Sequence, residues 1–253
     1  MQKRLLPLLL GALLLPYRLL AQPEAVDLGL SVKWASCNLG ADSPEDPGDL
    51  YAWGETEPKN RYDLDNYKFF EPGPGQTSAN PWNLDWLVSK YCSDKEDGPQ
   101  KTHYGAVDRR VILESEDDVA HVKLGGKWRI PMQEERDELF NECTWTWKKV
   151  KGVPGYEVTS KKNGNSIFLP VTGYYLEEDL IRPDDLGYYW TSTLYLDNPQ
   201  KAIFWGFSEK KIYPRLDEVP NPNGYQVAMW SRTVGFAIRP VILSDTYEYA
   251  NQD

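Results

Sequence analysis

Carboxylates dominate the reactive side chains of this sequence. It carries 38 Asp and Glu but only two histidines, His103 and His121, and three cysteines, Cys37, Cys92 and Cys143. No Cys-x-x-Cys pair and no His-x-x-x-His spacing occurs, so neither a zinc site nor a Cys-His nucleophile is expected. No metal and no cofactor is assigned; an acidic chain is compatible with calcium, but net charge alone is not a site. A glycoside hydrolase needs two carboxylates about 5–10 Å apart, one of them in an apolar setting. Glu55 with Glu57, or Asp184 with Asp185, are the candidates for acid and base. In so acidic a chain, adjacency of two acids is weak support for catalysis, and a non-enzyme is the expectation.

Aromatic side chains give the other chemistry. Ten Trp and sixteen Tyr stand against seven Phe and three Met. Rings with a polar edge suit flat partners, such as sugar rings or protein edges. Trp145, Trp147, Tyr174, Tyr175, Trp190 and Trp205 fall in strand or loop positions and form the candidate ligand-binding set. The competing reading is that they are core and sheet residues. Exposure on one common surface separates the two.

The elements that must position these rings are organised around Gly125 to Glu135. The Gly125-Gly126 pair suits the left-handed end of one helix. Pro131 suits the first turn of a second, spanning about Met132 to Glu142. Four acids in its opening turns suit a helix N-terminus. Trp128 is expected in the core and Arg129 in a structural ion pair. Upstream, Ser115 is the expected cap of the first helix, with Asp118 reaching back.

Before these helices, Val26 to Asn38 alternates as a half-buried strand. Gly40 to Gly48 reads as a loop, and residues 56 to 110 show little pattern, with Trp82, Leu84, Trp86, Leu87 and Tyr91 expected to anchor them. After the helices the chain reads as strands. Cys143, Trp145 and Trp147 alternate with Thr144 and Thr146, and Asn163-Gly164 marks a hairpin between Tyr156–Thr159 and Ser166–Leu169. Further strands are expected over 188–196, 202–207, 211–213 and 234–243. The order of strand, loops, two helices and strands is an α+β class with one core.

Lys3 and Arg4 precede the apolar run Leu5 to Leu15, and Ala21 follows. This pattern is that of a secretory signal peptide over residues 1–21. The run, broken by Pro16 and Arg18, is short for a membrane span of about 20 residues. Removing Lys3, Arg4 and Arg18 leaves 25 basic against 38 acidic residues, a net charge of −13. Nucleic acid and anionic membranes, which call for basic patches, are therefore not expected partners. Residues 22–243 read as a single domain, and 244–253 as an acidic tail.

Several motifs together resemble one family. They include Val26-Asp27-Leu28-Gly29-Leu30, Tyr51-Ala52-Trp53-Gly54-Glu55-Thr56 and Trp128-Arg129-Ile130-Pro131. Gly187-Tyr188-Tyr189-Trp190-Thr191-Ser192 and Ile238-Arg239-Pro240-Val241 belong with them. The set is similar to the Fibrobacter succinogenes major paralogous domain family. The resemblance implies a C-type-lectin-like fold, near that of formylglycine-generating enzymes: small, mostly antiparallel sheets, two short helices, long loops and paired termini. It implies an exported protein of the bacterial cell envelope, periplasmic or secreted, and structural roles for Trp34, Trp53, Trp128, Arg129 and Arg239. Three departures limit it. Met132 stands where the family usually has a Thr cap. No Cys follows Cys143, so formylglycine-generating chemistry is not carried over. Glu218-Val219-Pro220-Asn221 and Trp230-Ser231-Arg232 depart from the calcium-lectin signatures.

Such a fold brings the end of the first strand and the end of the second helix to one core. If any thiols are bridged, Cys37 with Cys143 is the favoured pair; three separate buried thiols is the alternative. The expected function is a non-catalytic module binding glycan or protein through loops and surface aromatics. A structural component of the envelope is the runner-up, ahead of a glycoside hydrolase.

Overall fold

A computed structural model describes residues 22–72, 87–93, 104–213 and 229–244. Residues 1–21, where a signal peptide is expected, His103, Trp82, Leu84, Trp86, residues 218–221 and those beyond Ser244 lie outside them. The chain begins with the short strands β1 (Ala25–Val26), β2 (Val32–Ala35), β3 (Leu50–Tyr51), β4 (Phe70–Glu71) and β5 (Leu87–Val88). The helices α1 (Val119–Leu124) and α2 (Gln133–Glu142) follow. Then come β6 (Cys143–Val150), β7 (Val153–Ser160), β8 (Ser166–Pro170), β9 (Tyr174–Leu176), β10 (Asp179–Ile181) and β11 (Leu186–Leu194). The last are β12 (Lys201–Ser208), β13 (Lys211–Tyr213), β14 (Met229–Ser231), β15 (Phe236–Ala237) and β16 (Val241–Leu243). The class is α+β, with small, mostly antiparallel sheets and two helices.

The centre is the sheet β13-β12-β11-β15-β3, with β14 also on β12. All its pairings are antiparallel except β11 with β15. Successive side chains of a strand point to opposite faces, so this sheet divides the core in two. Tyr188, Trp190, Phe204 and Phe236 face one half, with Trp53, Tyr67, Tyr91 and Trp128. Tyr189, Trp205, Phe207 and Ala237 face the other, with Trp34, Leu139 of α2 and the inner faces of β7 and β8. Two glycines make room for large rings: Gly187 pairs with Phe207 and Gly206 with Tyr188 across the β11–β12 ladder. A Cβ on either would sit 2.3 Å or 2.5 Å from the facing ring.

The two ends of the domain meet. Trp34 of β2 pairs with Val241 of β16, and β1 folds back on β2. The anticipated strands over 26–38 and 234–243 are each interrupted. Gly29 turns left-handed between β1 and β2, and β15 joins β3 while β16 joins β2. Arg129 seals this seam, because its backbone exchanges hydrogen bonds with Val241 at 3.0 and 2.9 Å. The Trp-Arg stretch thus bolts the closing strand to the helical corner. Trp128 is buried, and the Arg129 guanidinium grips both oxygens of Glu135.

The helix ends correct two expectations. Ser115 does not cap α1. Residues 115–117 form a turn on the Glu114 carbonyl, and Asp118 is the cap, accepting from the amides of Ala120 and His121. Its second oxygen takes the Ile130 amide at 2.8 Å. Gly125 and Gly126 are left-handed, as a helix stop requires. Pro131 lies before α2 rather than in its first turn, and Met132 is the cap residue. A thioether is a poor acceptor, so other groups do the capping. Glu135 accepts from the Met132 amide at 2.8 Å, and Thr193 Oγ1 from the Gln133 amide at 3.0 Å.

Beyond α2, β6, β7 and β8 form an antiparallel meander. Its second turn holds Asn163-Gly164, with Gly164 left-handed; its first is the unforeseen Lys151-Gly152 turn, left-handed at both residues. The cysteines are all free, so the Cys37–Cys143 bridge is absent. The Cys37 thiol instead contacts the Ala41 carbonyl, and Cys143 is buried against α2 and the meander.

Three buried arginines tie separate parts of the chain together through carbonyl acceptors. Arg239 donates to the carbonyls of Ala35 and Phe168 and to Asn38 Oδ1 at 2.7–2.9 Å. Arg232 donates to the carbonyls of Lys90, Tyr91 and Pro199 and to Tyr67 Oη. Arg136 reaches the Phe204 carbonyl and Asp137. Unpaired burial of such groups would be costly; the acceptors around each guanidinium offset part of that cost.

Candidate functional site

The structure divides the six candidate aromatics. Trp190 and Trp205 are fully buried, 0% exposed, so they are removed from the ligand-binding set. Trp190 Nε1 donates to the Tyr51 carbonyl; Trp205 is ringed by Trp34, Phe140, Trp145 and Tyr189. Trp145 and Trp147 are half-buried under their own sheet, edge-on to Tyr156 and Phe207. Tyr174 leans on Tyr188, Trp230 and Phe236. Tyr175 lines an open cleft.

That cleft, of about 250 Å³, lies between the Pro47–Leu50 segment, the Pro58–Tyr62 loop and the β9–β10 hairpin. Directly opposite Tyr175 on the ladder is Leu180, exposed at the cleft margin. The Tyr175 ring stacks on Tyr62, centroids 5.1 Å apart and planes within 10°. Tyr62 is immobilised, because its hydroxyl donates to the Leu50 carbonyl and accepts from the Lys59 amide. Burial pushes the Tyr62 phenol up to about 12, so it stays protonated at neutral pH. The hairpin is tied at both ends: Tyr175 exchanges backbone bonds with Gly235, and Glu177 with Tyr62. Gly235 must be small, since a Cβ there would lie 2.8 Å from the Tyr62 ring.

Polar groups complete the cleft. Asp49 is exposed, and its carboxylate accepts from Tyr51 Oη at 3.2 Å. Left-handed Gly40 lets it pack close; a Cβ there would meet Asp49 Oδ2 at 2.4 Å. Lys59 is held by Glu55 at 2.8 Å and by Asn66. The arrangement offers an aromatic wall, a fixed acceptor and an ammonium donor, which suits recognition of a hydroxylated ring. Asp49, Lys59 and Tyr62 were not singled out in the sequence. Their neighbourhood read only as loop, and no local spacing announces a stack formed with a residue more than a hundred positions away.

The acids proposed for hydrolysis are otherwise engaged. Glu55 is buried, paired with Lys59 and bonded to the Lys68 amide. Glu57 is exposed and meets Lys123, while Asp185 meets Arg182 on the surface beside exposed Asp184. A different acidic group, Glu114, Glu116 and Asp117, converges within 4.8 Å. Lys90 Nζ stands 2.6, 3.0 and 2.6 Å from these three, and Lys68 also bonds Asp117. An ammonium thus occupies the centre a cation would take. Burial alone would raise Asp117, but hydrogen bonds from Lys68, Lys90 and Tyr91 hold it below the usual carboxylate range.

Residues 230–232 serve the core. Arg232 is wholly buried, its guanidinium carbon 4.7–5.8 Å from the rings of Trp53, Tyr67, Phe69 and Tyr91. Arg239 and Trp34 are likewise 0% exposed. Among the described residues no helix is long and apolar enough to cross a membrane. Comparison with protein-family models, with curated proteins and with solved structures gives no match for this chain.

Proposed function

We propose that the chain is an exported, non-catalytic binding module of C-type-lectin-like fold, and that its ligand is a glycan held in the Tyr175 cleft. The observation that carries this reading is the fixed Tyr62–Tyr175 stack beside the Asp49 carboxylate in an open cleft of about 250 Å³. That volume lies just under the usual range of small-molecule pockets, about 300–1,000 Å³, and suits a single sugar ring at a chain end or branch. Export rests on the basic-then-apolar leader, and membership of the Fibrobacter succinogenes major paralogous domain family on the motifs quoted above. The paired terminal strands, two helices and long loops support the fold assignment.

A glycan array followed by calorimetry tests the reading. A saccharide is expected to bind, with Tyr175→Ala and Asp49→Asn each weakening it about tenfold, the scale of one stacked ring or one charge-assisted hydrogen bond. No binding across the array, or binding indifferent to both substitutions, would refute it. Exposed Leu176 and Leu180 on the same hairpin favour a second reading, an assembly component of the cell envelope. Self-association abolished by Leu180→Glu would support that alternative.

A further inference from the structure

The meander β6-β7-β8 has two outer edges, and the chain covers only one of them. The direction of each backbone group follows from the turn. Val150 and Val153 flank the two-residue Lys151-Gly152 turn, left-handed at both residues, which makes them a hydrogen-bonded pair. The pattern alternates from there. Thr144, Thr146 and Lys148 therefore bond to β7, whereas Trp145, Trp147 and Lys149 point their amides and carbonyls away from it. The far side of β7 agrees: the Pro154 carbonyl accepts from the Val171 amide, and the Ser160 amide donates to the Asn165 carbonyl.

On the β8 edge the outward carbonyls are taken. That of Phe168 accepts from Arg239 and that of Pro170 from the Tyr189 hydroxyl, each at 2.7 Å, and Pro170 has no N–H to offer. On the β6 edge, among the described residues, no hydrogen bond reaches the backbone of Trp145, Trp147 or Lys149. Monomeric proteins blunt such an edge with proline, bulges or charge. β6 runs eight residues in unbroken register without proline, and its lysines, 148 and 149, sit at the turn end. Positions 143–147 are uncharged, with Trp145 and Trp147 half-buried on one face and Thr144 and Thr146 exposed on the other.

We propose that β6 docks a second copy of this chain, the two β6 strands pairing antiparallel about a twofold axis at Thr146 so that the two meanders join into one sheet. The occupant follows from the pattern of the edge. Trp145-Thr146-Trp147 reads the same in both directions, as a contact between identical surfaces requires. Trp145 then lies opposite the partner's Trp147, each turning its free amide and carbonyl to the other. Lys148 falls opposite the partner's Thr144, and Lys149 opposite the partner's Cys143, so no lysine meets a lysine. An axis at Lys148 would set two ammonium groups face to face, which is destabilising. β6 holds no carboxylate, so two acidic chains meet here without opposing acids. The contact uses no residue of the Tyr175 cleft or of the β9–β10 hairpin and does not depend on the glycan reading.

Analytical ultracentrifugation of the purified chain at rising concentration is the test, and the mass is expected to climb from one copy to two. Thr146→Lys faces Glu157 within its own ladder but sets two like charges at the axis; it should keep the melt and abolish the dimer. Thr144→Glu meets the partner's Lys148 at two symmetric places and should tighten the dimer about fivefold. Thr146→Cys, in a Cys37→Ser background, should cross-link to its own copy under mild oxidation with oxidised glutathione. A directly opposed, non-hydrogen-bonded pair has its Cα atoms about 4.5 Å apart, within disulfide range. Leu180→Glu, on the β9–β10 hairpin, should leave the dimer intact. A chain monomeric at every concentration, a dimer indifferent to Thr146→Lys or weakened by Thr144→Glu, no Thr146→Cys cross-link, or loss of the dimer in Leu180→Glu would each overturn the assignment.

Discussion

Asp118 offers the sharpest test of the helical corner. Its carboxylate is almost wholly buried and accepts three backbone amides: Ala120 and His121 on one oxygen, Ile130 on the other. Burial raises its pKa while the three amides lower it; burial wins, pushing it up to about 6. A folded-state value above the unfolded one means that the native state binds the proton more tightly. The contribution is therefore fully present in acid and lost as pH rises from about 4 through 6. A rise from the ordinary value of 3.8 to about 6 corresponds to ~3 kcal/mol. Asp118→Asn removes the titration and keeps the shape. Its carbonyl oxygen can still cap α1, but its amide group would face the Ile130 N–H, leaving a buried donor unmet at about 1–3 kcal/mol. That loss is within the stability of an ordinary domain, so the variant should fold. Urea unfolding of both proteins at pH 4, 5, 6 and 7.5 is the assay. The variant should be less stable at pH 4, and the gap should narrow by ~2.5 kcal/mol by pH 7.5. A gap that stays constant, or widens with pH, would show that the three amides outweigh burial.

Two further stability predictions concern the same corner. Trp128→Ala should cost about 3–5 kcal/mol in chemical denaturation, as expected for a buried indole; a loss under about 1 kcal/mol would remove the residue from its organising role. Met132→Thr should stabilise α2 by up to about 1 kcal/mol by supplying a hydroxyl cap. It should do more in a Thr193→Val background, where the Gln133 amide has lost its acceptor, and equal gains in both backgrounds would show that Thr193 does not act as a cap.

Local patterns foretold local structure well. Gly125, Gly126 and Gly164 are left-handed punctuation, and alternation through Trp145 and Trp147 gives β6. The cap of α1 was missed because Ser115 and Asp118 are both good caps, and the choice was made by a distant partner, the Ile130 amide. Lys151-Gly152 was missed because a lysine at positive φ leaves no mark in composition. Trp190 and Trp205 lie in nearly unbroken apolar runs, 188–190 and 202–207, the mark of a strand covered on both faces. That mark was readable, and it should have counted against them as surface rings. The cleft was hidden for another reason: Asp49, Tyr62 and Tyr175 converge only through tertiary contacts, and a stack between distant residues has no spacing.

The pairing of Trp34 with Val241 also sets the order in which the core can become complete. Until residues 236–243 arrive, Trp34 lacks its strand neighbour, the carbonyls of Ala35 and Phe168 lack Arg239, and Leu50 lacks Ala237. The meander of β6 to β8 can form early, because its contacts are short-range. The sheet that joins the two ends spans more than two hundred residues of chain and must wait for loop closure. Synthesised or threaded from its N-terminal side, the protein would carry a half-built aromatic interior to the last moment. Folding would then finish in one late, cooperative step driven by the C-terminal segment.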